Sequence, residues 1–532
     1  MTGLPPVQDR TLRYAYDRAL TEVPDQVAHI GADGTYTVAQ SHQRSMSIAQ
    51  GLTDLGAQRQ EPVALLMDNS VDAVHAWTGT ALGAMAEVPI NTAYKGQFLS
   101  HILNDSGARI LVCDDVYVDR VASVVDDLPQ LTDLIVRGDA ASAESLRNRL
   151  RISSFGDLTE ASPAARRPLA ADDLMAFMYT SGTTGLSKGV LIPHAQAYTY
   201  ASREDQDRPT TSDRILVSLP LFHLAGQWYG AYQALIHRVP CVIEPGFSVS
   251  RFWSTVREHG ITVTVMLGAM AELLQQSEPR SDDADNPLEL AIMAPLASDI
   301  DGFRRRFGID LAAVYGMSEI GAVLNGPPET VLGGECGFAR DEFTLRLMDD
   351  GREVVPGEVG ELWVKPDDPR LVMRGYHNLP DKTAESIVDG WVHTGDAFRR
   401  DEDGRFYFSD RMKDALRRRG ENVSSFEVER VINQHQSVFE SAVVAVPSEL
   451  SEDDIKAVVV PRSGLEIDPR ELTEFLIEQL PYFMVPRYIE VSAALPKTPT
   501  QKIQKNRLRD TGIGPGVWDR EAAGITVRRG RR

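Results

Sequence analysis

Hydroxyl side chains, glycines and one lysine lie together in residues 179–190, which read Tyr-Thr-Ser-Gly-Thr-Thr-Gly-Leu-Ser-Lys-Gly-Val. Apolar runs at residues 174–178 and 190–192 flank this segment, so the pattern predicts two strands joined by a loop. Because glycine lets backbone N–H groups approach a ligand closely, such a loop with hydroxyls beside it suits a phosphate. An ordinary hairpin turn would explain the glycines but not the hydroxyls and the lysine. The candidate phosphate-binding residues are therefore Thr180, Ser181, Gly182, Thr183, Thr184, Gly185 and Lys188.

The segment is not a Walker A loop, whose pattern is G-x-x-x-x-G-K-[ST]. Counted from Gly182, the second glycine position holds Ser187, and Gly189 follows the lysine where Ser or Thr would bind magnesium. The segment instead resembles the phosphate loop of the adenylate-forming superfamily, which includes acyl-CoA synthetases, luciferases and the adenylation domains of peptide synthetases. This resemblance implies that Lys188 steadies the departing β- and γ-phosphates of ATP.

A second motif, Tyr315-Gly316-Met317-Ser318-Glu319, follows a predicted strand at the end where open α/β sheets bind ligands. Read alone, it could also be a helix start with Ser318 as the N-cap. It resembles the Y-G-x-T-E motif of the superfamily, with serine in place of threonine. The resemblance implies that Tyr315 stacks on adenine beside Gly316, that Ser318 contacts the α-phosphate and that Glu319 binds Mg²⁺.

Two further motifs resemble the superfamily's ribose site and hinge. Residues 391–396 read Trp-Val-His-Thr-Gly-Asp, and the resemblance implies that Asp396 accepts hydrogen bonds from the ribose hydroxyls. Residues 410–414 read Asp-Arg-Met-Lys-Asp. There, Arg411 would reach the ribose or a phosphate, and Lys413 would be the pivot between a large and a small domain. The alternative for residues 391–396 is a common turn, and the alternative for residues 410–414 is a solvated run of charged residues.

Lys502 resembles the C-terminal lysine that bridges the carboxylate and the α-phosphate during adenylation. Gln501 precedes it, where glycine stands in much of the family, and Lys497 and Lys505 are nearby alternatives. A lone lysine is usually a surface residue, so this assignment depends on the surrounding motif.

The motif beside the acyl pocket in the superfamily is resembled by residues 219–226, which read Leu-Pro-Leu-Phe-His-Leu-Ala-Gly. The resemblance implies that His223 gates or orients the carboxylate of the substrate. An equal alternative is that His223 has only a structural role. Leu267, Met270 and Val314 are candidates for lining the pocket. The adenine loop, G-G-A-P in the family, reads Ile292-Met293-Ala294-Pro295 here, which leaves open whether both half-reactions are carried out.

The resemblance covers residues 10–510, with the motifs in order, and lies nearest to the crotonobetaine/carnitine-CoA ligase-like branch. It implies an acid–thiol ligase that makes acyl-CoA, AMP and diphosphate from a carboxylic acid, ATP and CoA, with Mg²⁺ as cofactor. Arg419 and Gly420 would meet CoA, since arginine suits phosphate; a solubilising basic loop is the alternative. Three other activities stay open: loading of a carrier protein, one half-reaction only, and binding without catalysis.

The elements that must position these motifs alternate as strands and helices, which predicts α/β architecture with parallel sheet. We expect a large AMP-binding domain over residues 1–412, with α/β subdomains at about 1–170 and 171–330 and a β-rich subdomain at 331–412. Residues 1–60 are expected to be helical, and residues 137–172 to be a connection. A small mobile α+β domain is expected over residues 413–512, with a mobile tail over residues 513–532.

Composition excludes some classes of protein. The formal net charge is −21, which argues against general binding of nucleic acid or an anionic membrane. The three cysteines are far apart in sequence, which indicates reduced thiols and a cytoplasmic protein. The first ten residues do not have the pattern of a signal peptide, and no apolar run approaches the roughly 20 residues of a membrane span. A homodimer is an open alternative for the assembly.

Overall fold

A computed structural model describes residues 4–163, 165–180, 187–202, 209–328, 331–411, 416–418, 421–423, 425–447, 453–480, 484–498 and 502–527. The strands up to residue 202 are β1 (Val27–Gly31), β2 (Gly34–Thr37), β3 (Pro62–Leu66), β4 (Ala86–Pro89), β5 (Ile110–Asp114), β6 (Asp133–Arg137), β7 (Arg151–Ser154), β8 (Leu174–Thr180) and β9 (Lys188–Pro193). The α-helices in the same part are α1 (Leu12–Glu22), α2 (Val38–Asp54), α3 (Val71–Leu82), α4 (Gln97–Ser106), α5 (Val118–Ala122), α6 (Phe155–Thr159) and α7 (His194–Ala201).

The middle of the chain continues this alternation and then becomes β-rich. Its strands are β10 (Ile215–Val217), β11 (Cys241–Ile243), β12 (Val263–Met266), β13 (Leu290–Met293), β14 (Asp310–Met317), β15 (Gly321–Gly326), β16 (Glu335–Ala339), β17 (Phe343–Asp349), β18 (Arg352–Glu353), β19 (Val359–Pro366), β20 (Gly375–Tyr376), β21 (Ile387–Val388), β22 (Trp391–Arg400) and β23 (Phe406–Arg411). Its α-helices are α8 (Leu224–Gly226), α9 (Gln233–His237), α10 (Val249–His259), α11 (Gly268–Gln276), α12 (Ile300–Phe307) and α13 (Pro380–Ser386).

The C-terminal part is a separate α+β unit. Its strands are β24 (Leu416–Arg418), β25 (Glu421–Val423), β26 (Val438–Pro447), β27 (Asp453–Pro461), β28 (Tyr488–Val491) and β29 (Trp518–Asp519). Its helices are α14 (Ser425–Ile432), α15 (Pro469–Gln479) and α16 (Lys505–Asp510). Short 3-10 helices cover Val7–Asp9, Asp115–Tyr117, Val125–Asp127, Ala140–Leu146 and Pro369–Leu371, and a π-helix covers Gln227–Tyr232.

Within the described residues, two long sheets form the large N-terminal domain. One has the order β20-β9-β8-β4-β3-β5-β6-β7, in which β4, β3, β5, β6 and β7 are parallel neighbours. The other runs β2-β1-β11-β10-β12-β13-β14-β15-β16-β23-β22-β19-β17-β18 and changes from parallel to antiparallel at β14–β15. Strands such as β5 and β13 are buried along their whole length, as parallel strands covered on both faces are. The predicted α/β fold with a β-rich part and a small C-terminal domain is confirmed.

The core of the large domain lies between the two sheets and is filled by helices. The ring of Trp77 on α3 packs edge-on against the ring of Tyr232, at 5.7 Å between centroids. The ring of Tyr198 on α7 also packs edge-on against the ring of Tyr232. These three aromatic side chains are buried. None of the described helices combines the length and the apolar character that crossing a bilayer requires.

Each of the two sheets contains strands from both of the expected subdomains, residues 1–170 and residues 171–330. The hairpin of β1 and β2 lies beside β11 in the second sheet, whereas β8 and β9 lie beside β4 in the first sheet. The hairpin also corrects the expectation that residues 1–60 are helical throughout. Likewise, the expected connection at residues 137–172 contains β7 and α6, because β7 extends the first sheet at its edge.

The described part of the expected tail at residues 513–532 contains a strand that belongs to the sheet of the small domain. The strand β29 pairs with β28, and Arg520 is only 2% exposed. The Arg520 guanidinium donates to the carbonyls of Pro486 and Ile525, both at 3.2 Å. The pairing with β28 and the bond to Pro486 join this segment, which is rich in glycine and charge, to residues distant in the chain.

Candidate active site

The predicted phosphate loop closes the hairpin of β8 and β9, in which Thr180 pairs with Lys188. The strand–loop–strand expectation is therefore confirmed at its base. The loop residues Ser181, Gly182, Thr183, Thr184 and Gly185 lie outside the described residues.

Helix α4 supports the base of this loop through two side chains that carried no signal in the sequence. Nε2 of His101 donates to the carbonyl of Ser187 at 2.8 Å. One helical turn further on, Oδ2 of Asp105 accepts a 2.7 Å hydrogen bond from the phenol of Tyr179. Burial, with the nearby Asp105 carboxylate, raises the pKa of Tyr179, so this phenol stays protonated as a donor.

Lys188 and Glu319, which are 131 positions apart, both contact Tyr376. Nζ of Lys188 lies 5.2 Å from the centroid of the Tyr376 ring, within the range of a cation–π interaction. The Tyr376 hydroxyl donates to Oε1 of Glu319 at 2.9 Å. Tyr376 thus joins the predicted phosphate lysine to the predicted metal ligand.

The motif at residues 315–319 ends β14 and turns directly into the antiparallel strand β15. This excludes the alternative of a helix start with Ser318 as its cap. The carbonyl of Ser318 accepts a 2.7 Å hydrogen bond from Nε2 of the buried Gln196, and the carbonyl of Glu319 accepts one of 2.8 Å from the N–H of Met373. A Cβ on Gly316 would lie 2.3 Å from the carbonyl oxygen of Gly321, so this tight hairpin requires glycine.

Tyr315 and Asp396 come together across the second sheet. The phenol of Tyr315 donates to Oδ2 of Asp396 at 2.7 Å, and the Tyr315 ring packs edge-on against Phe398 at 4.7 Å. Burial, with the Asp396 charge, raises the pKa of Tyr315. The adenine and ribose motifs therefore share one hydrogen-bonded pair.

A carboxylate outside the predicted set, Glu361, supports the turn that carries Asp396. Its Oε1 accepts from the N–H of Gly395 at 2.8 Å, and its Oε2 accepts from the indole N–H of Trp363 at 2.8 Å. Gly395 has a φ of 70°, a left-handed conformation that glycine adopts without strain. Both oxygens of Glu361 thus fix the geometry of the ribose motif.

His223 stands at the start of α8, where its Nδ1 accepts from the N–H of Ala225 at 3.2 Å. Burial lowers the pKa of His223 to about 4, and the charge of Lys502 contributes in the same direction. The imidazole is therefore neutral near pH 7.

Asn69 holds the segment that carries His223, although nothing in the sequence marked it. Its Nδ2 donates to the carbonyl of Leu219 at 2.9 Å, and its Oδ1 accepts from the N–H of Leu221 at 2.8 Å. A Cβ on Gly226 would lie 2.4 Å from the carbonyl oxygen of Leu219. The helix that follows therefore packs against this segment with no space for a side chain.

The two alternative lysines are held within the small domain. Nζ of Lys497 lies 2.6 Å from Oε2 of Glu440, and Nζ of Lys505 lies 2.8 Å from Oε1 of Glu429. Lys502 itself is exposed and lies in a tight turn, where its carbonyl accepts from the N–H of Thr498 at 2.7 Å. Both alternative lysines are therefore held in ion pairs with glutamates of the small domain.

Three predicted residues, Lys413, Arg419 and Gly420, lie outside the described residues, and Arg411 is described only by its backbone, which pairs with Asp396. The segment with Ile292 and Met293 is the buried strand β13, between β12 and β14. These larger side chains, where the family has glycines, are thus part of the core.

The carboxylate of Glu319 is a suitable ligand for a magnesium ion. Mg²⁺ takes oxygen ligands and is usually bound by one or two carboxylates together with substrate phosphates. Glu319 offers a carboxylate that is 8% exposed and fixed through Oε1. Across the part of the chain that the structure describes, no cluster of three or more His, Cys, Asp or Glu side chains could hold a metal alone. A site completed by substrate phosphates is consistent with this arrangement.

Comparison with known proteins supports the family that the sequence motifs predict. Residues 16–377 match the family described as AMP-binding enzyme, and residues 427–502 match the AMP-binding enzyme C-terminal domain. A crotonobetaine/carnitine–CoA ligase of Escherichia coli O7:K1 is 30% identical over 497 residues, which cover 90% of this chain and 94% of that protein.

Two further proteins extend the comparison. The fatty acid–[acyl-carrier-protein] ligase ScoC of Streptomyces coeruleorubidus is 32% identical over 503 residues, or 90% of this chain and 91% of that protein. The crystal structure of ATP-bound MatB from Rhodopseudomonas palustris has a TM-score of 0.82 and 27% identity, covering 95% of this chain and 99% of that chain. The predicted resemblance is confirmed: the chain belongs to the AMP-binding enzyme family of adenylate-forming acid–thiol ligases.

Proposed function

We propose that this protein is an ATP-dependent acyl-CoA synthetase, which converts a carboxylic acid, ATP and CoA into acyl-CoA, AMP and diphosphate through an acyl-adenylate. The observation that carries the proposal is the 2.7 Å hydrogen bond that joins Tyr315, the predicted adenine residue, to Asp396, the predicted ribose residue. A carboxylate and an α-phosphate repel each other, so a cation at their meeting point stabilises the transition state. Lys502 has this role in the proposal, and the neutral His223 orients the acid.

In the first half-reaction, the carboxylate oxygen attacks the α-phosphorus and diphosphate departs. Lys188 and the loop of residues 180–185 bind the departing β- and γ-phosphates, while Ser318 contacts the α-phosphate. Tyr315 and Gly316 bind adenine, and Asp396 binds the ribose with Arg411 beside it. When bound at Glu319, Mg²⁺ would supply positive charge to the phosphate oxygens. This division of roles is supported by the contacts among Lys188, Tyr376 and Glu319, and by the pairing of Tyr315 with Asp396.

In the second half-reaction, the small domain (residues 413–512 in the proposal) turns about Lys413 relative to residues 1–412. This movement withdraws Lys502 and brings Arg419 and Gly420 to the site, where they bind CoA. The thiol sulfur attacks the acyl carbon and AMP leaves with the electron pair of the broken C–O bond. A free thiol has a pKa of about 8.5, so a part of it is ionised at neutral pH.

The first test is release of pyrophosphate with a panel of carboxylic acids, comparing wild type with Lys502→Ala. We expect Lys502→Ala to abolish acyl-AMP formation and to leave thioester formation from supplied acyl-AMP largely intact. Lys497→Ala is the matched control, because Lys497 lies in the same segment but is paired with Glu440. Equal loss of both half-reactions in Lys502→Ala would contradict the assigned role.

A second candidate function is loading of a carrier protein, which is favoured by the 32% identity to ScoC. Both activities share the adenylation step and differ only in the thiol acceptor. Supplying free CoA or a holo carrier protein to the same adenylated enzyme distinguishes them. We expect CoA to be the faster acceptor, and a strong preference for the carrier protein would favour the second candidate.

A further inference from the structure

Tyr376 lies between the two charged groups of the proposed polyphosphate site. The Lys188 ammonium sits against its ring at 5.2 Å from the centroid, and its hydroxyl donates to the Glu319 carboxylate at 2.9 Å. One side chain therefore contacts the cation and the anion at the same time.

The backbone fixes Tyr376 relative to Lys188. Strand β20 pairs with β9 so that Tyr376 lies opposite Val190. Lys188 is two residues before Val190, which makes it the diagonal neighbour of Tyr376 on the same face of the sheet. The next residue, His377, donates its N–H to the carbonyl of Gly189 at 2.8 Å and extends this connection.

The same segment is also bonded to Glu319 and to α13. The N–H of Met373 donates to the carbonyl of Glu319 at 2.8 Å, and the N–H of Tyr376 donates to Oγ1 of Thr383 at 2.9 Å. Gly375 has a φ of 146°, and a Cβ there would lie 2.7 Å from Cγ2 of Thr383. The segment thus has one close-packed conformation that sets the distance between Lys188 and Glu319.

We infer that Tyr376 is a positioning residue that keeps Lys188 and Glu319 apart, so that the ammonium stays available to phosphates and the carboxylate to Mg²⁺. An ion pair between the two groups would neutralise both before ATP arrives. The ring accepts the cation without cancelling its charge. The hydroxyl satisfies one carboxylate oxygen of Glu319, and no described residue donates a hydrogen bond to the other oxygen. This inference rests on the roles proposed above for Lys188 and Glu319.

Two variants separate the two contacts. Tyr376→Phe removes the hydroxyl and keeps the ring, whereas Tyr376→Leu removes both. Tyr407→Phe is a matched control, because the Tyr407 hydroxyl donates to Asp401 at 3.1 Å and its ring carries Arg399 at 4.1 Å, the same two contacts elsewhere. Thermal unfolding of each variant establishes that it is folded.

The measurement is ATP affinity by calorimetry without acid, first in EDTA and then over a magnesium titration, with Glu319→Gln as the reference. For Tyr376→Phe, we expect ATP affinity in EDTA to stay within two-fold of wild type, and the Mg²⁺ concentration for half-maximal tightening to rise at least five-fold. For Tyr376→Leu, we expect ATP affinity in EDTA to fall at least five-fold as well. Tyr407→Phe should match wild type in both measurements.

Two results would overturn the inference while the metal role of Glu319 still holds. In the first, Glu319→Gln requires more Mg²⁺ than wild type but Tyr376→Phe requires the same amount as wild type. This result would leave the proposed function intact. The other is the same ATP affinity in EDTA for Tyr376→Leu and Tyr376→Phe. If Glu319→Gln itself responds to Mg²⁺ like wild type, the metal role of Glu319 fails, and this inference fails with it.

Discussion

The phenol of Tyr315 donates a 2.7 Å hydrogen bond to Oδ2 of Asp396, although the two residues lie 81 positions apart in the chain. Asp396 is 8% exposed, so its carboxylate depends on protein donors for part of its solvation. The residue proposed to stack on adenine therefore also holds the residue proposed to bind the ribose.

This pairing predicts a graded response at Tyr315. We expect Tyr315→Phe to weaken ATP binding about ten-fold, which corresponds to roughly 1.4 kcal/mol and lies near the lower end for a hydrogen bond to a charged group. Tyr315→Leu should lose more, because it also removes the ring. Calorimetric titration with ATP measures both variants, with Tyr407→Phe as the control. Equal affinities for Tyr315→Phe and Tyr315→Leu would contradict a role for the ring.

The proposed role of Lys502 beside the acid predicts a measurable change in the pKa of the His223 imidazole. Because the Lys502 charge contributes to the low pKa of His223, Lys502→Met should raise this pKa from its value of about 4. Burial, the larger cause, is unchanged by the substitution, so the pKa should stay below the usual 6.5. Titration of the histidine carbons by NMR measures it, with Lys497→Met as the matched control. An unchanged His223 pKa in Lys502→Met would place the lysine away from the site in solution.

Glu361 predicts an effect on nucleotide binding from a residue that is not assigned to touch the nucleotide. Glu361→Ala removes the acceptor of the N–H of Gly395 and of the indole N–H of Trp363, two partly buried donors. A hydrogen bond of this kind typically contributes about 0.5–1.5 kcal/mol. We expect AMP and ATP affinity to fall together, because the turn that carries Asp396 loosens. Glu358→Ala on the same segment is the control, since Glu358 bonds to the exposed Arg352. Wild-type affinity in Glu361→Ala would show that the turn holds its shape without this carboxylate.

The sequence predicted those parts of the site that are local in the chain. Apolar runs at residues 174–178 and 190–192 were enough to predict the two strands β8 and β9, which the structure pairs as a hairpin. Burial on both faces explains why strands such as β13 were predicted from short apolar runs. Motif order then predicted the family.

Contacts between distant segments could not be predicted in this way. No role of Tyr376 was predicted, because its pairing with β9 and its bond to Glu319 join residues more than fifty positions apart. Glu361 and Asn69 carried no motif signal at all. Strand β29 was read as a tail for the same reason: its order comes from β28, not from its own sequence.

Buried histidines predict how stability depends on pH. Burial lowers the pKa of His29 to about 4 and that of His194 to about 3, against about 6.5 in an unfolded chain. As pH falls below about 6.5, the unfolded chain therefore binds protons that the folded protein does not. Each such histidine should reduce the free energy of unfolding by roughly 1.4 kcal/mol per pH unit in that range. The buried Glu87 acts in the opposite direction, because its pKa is raised by burial and the folded state takes up its proton first.

A substitution at His194 isolates this effect from the opposing one. Within the described residues, neither ring nitrogen of His194 has a hydrogen-bond partner, so His194→Gln removes its titration without breaking a bond. Urea unfolding of wild type and variant at pH 7 and pH 5.5 gives the difference in free energy of unfolding at each pH. We expect the free energy of unfolding of the variant, relative to wild type, to be about 1 kcal/mol higher at pH 5.5 than at pH 7. The reason is that only the wild type keeps a neutral His194 in the folded state at the lower pH. A constant difference at the two pH values would mean that His194 is protonated in the folded protein as readily as in the unfolded chain.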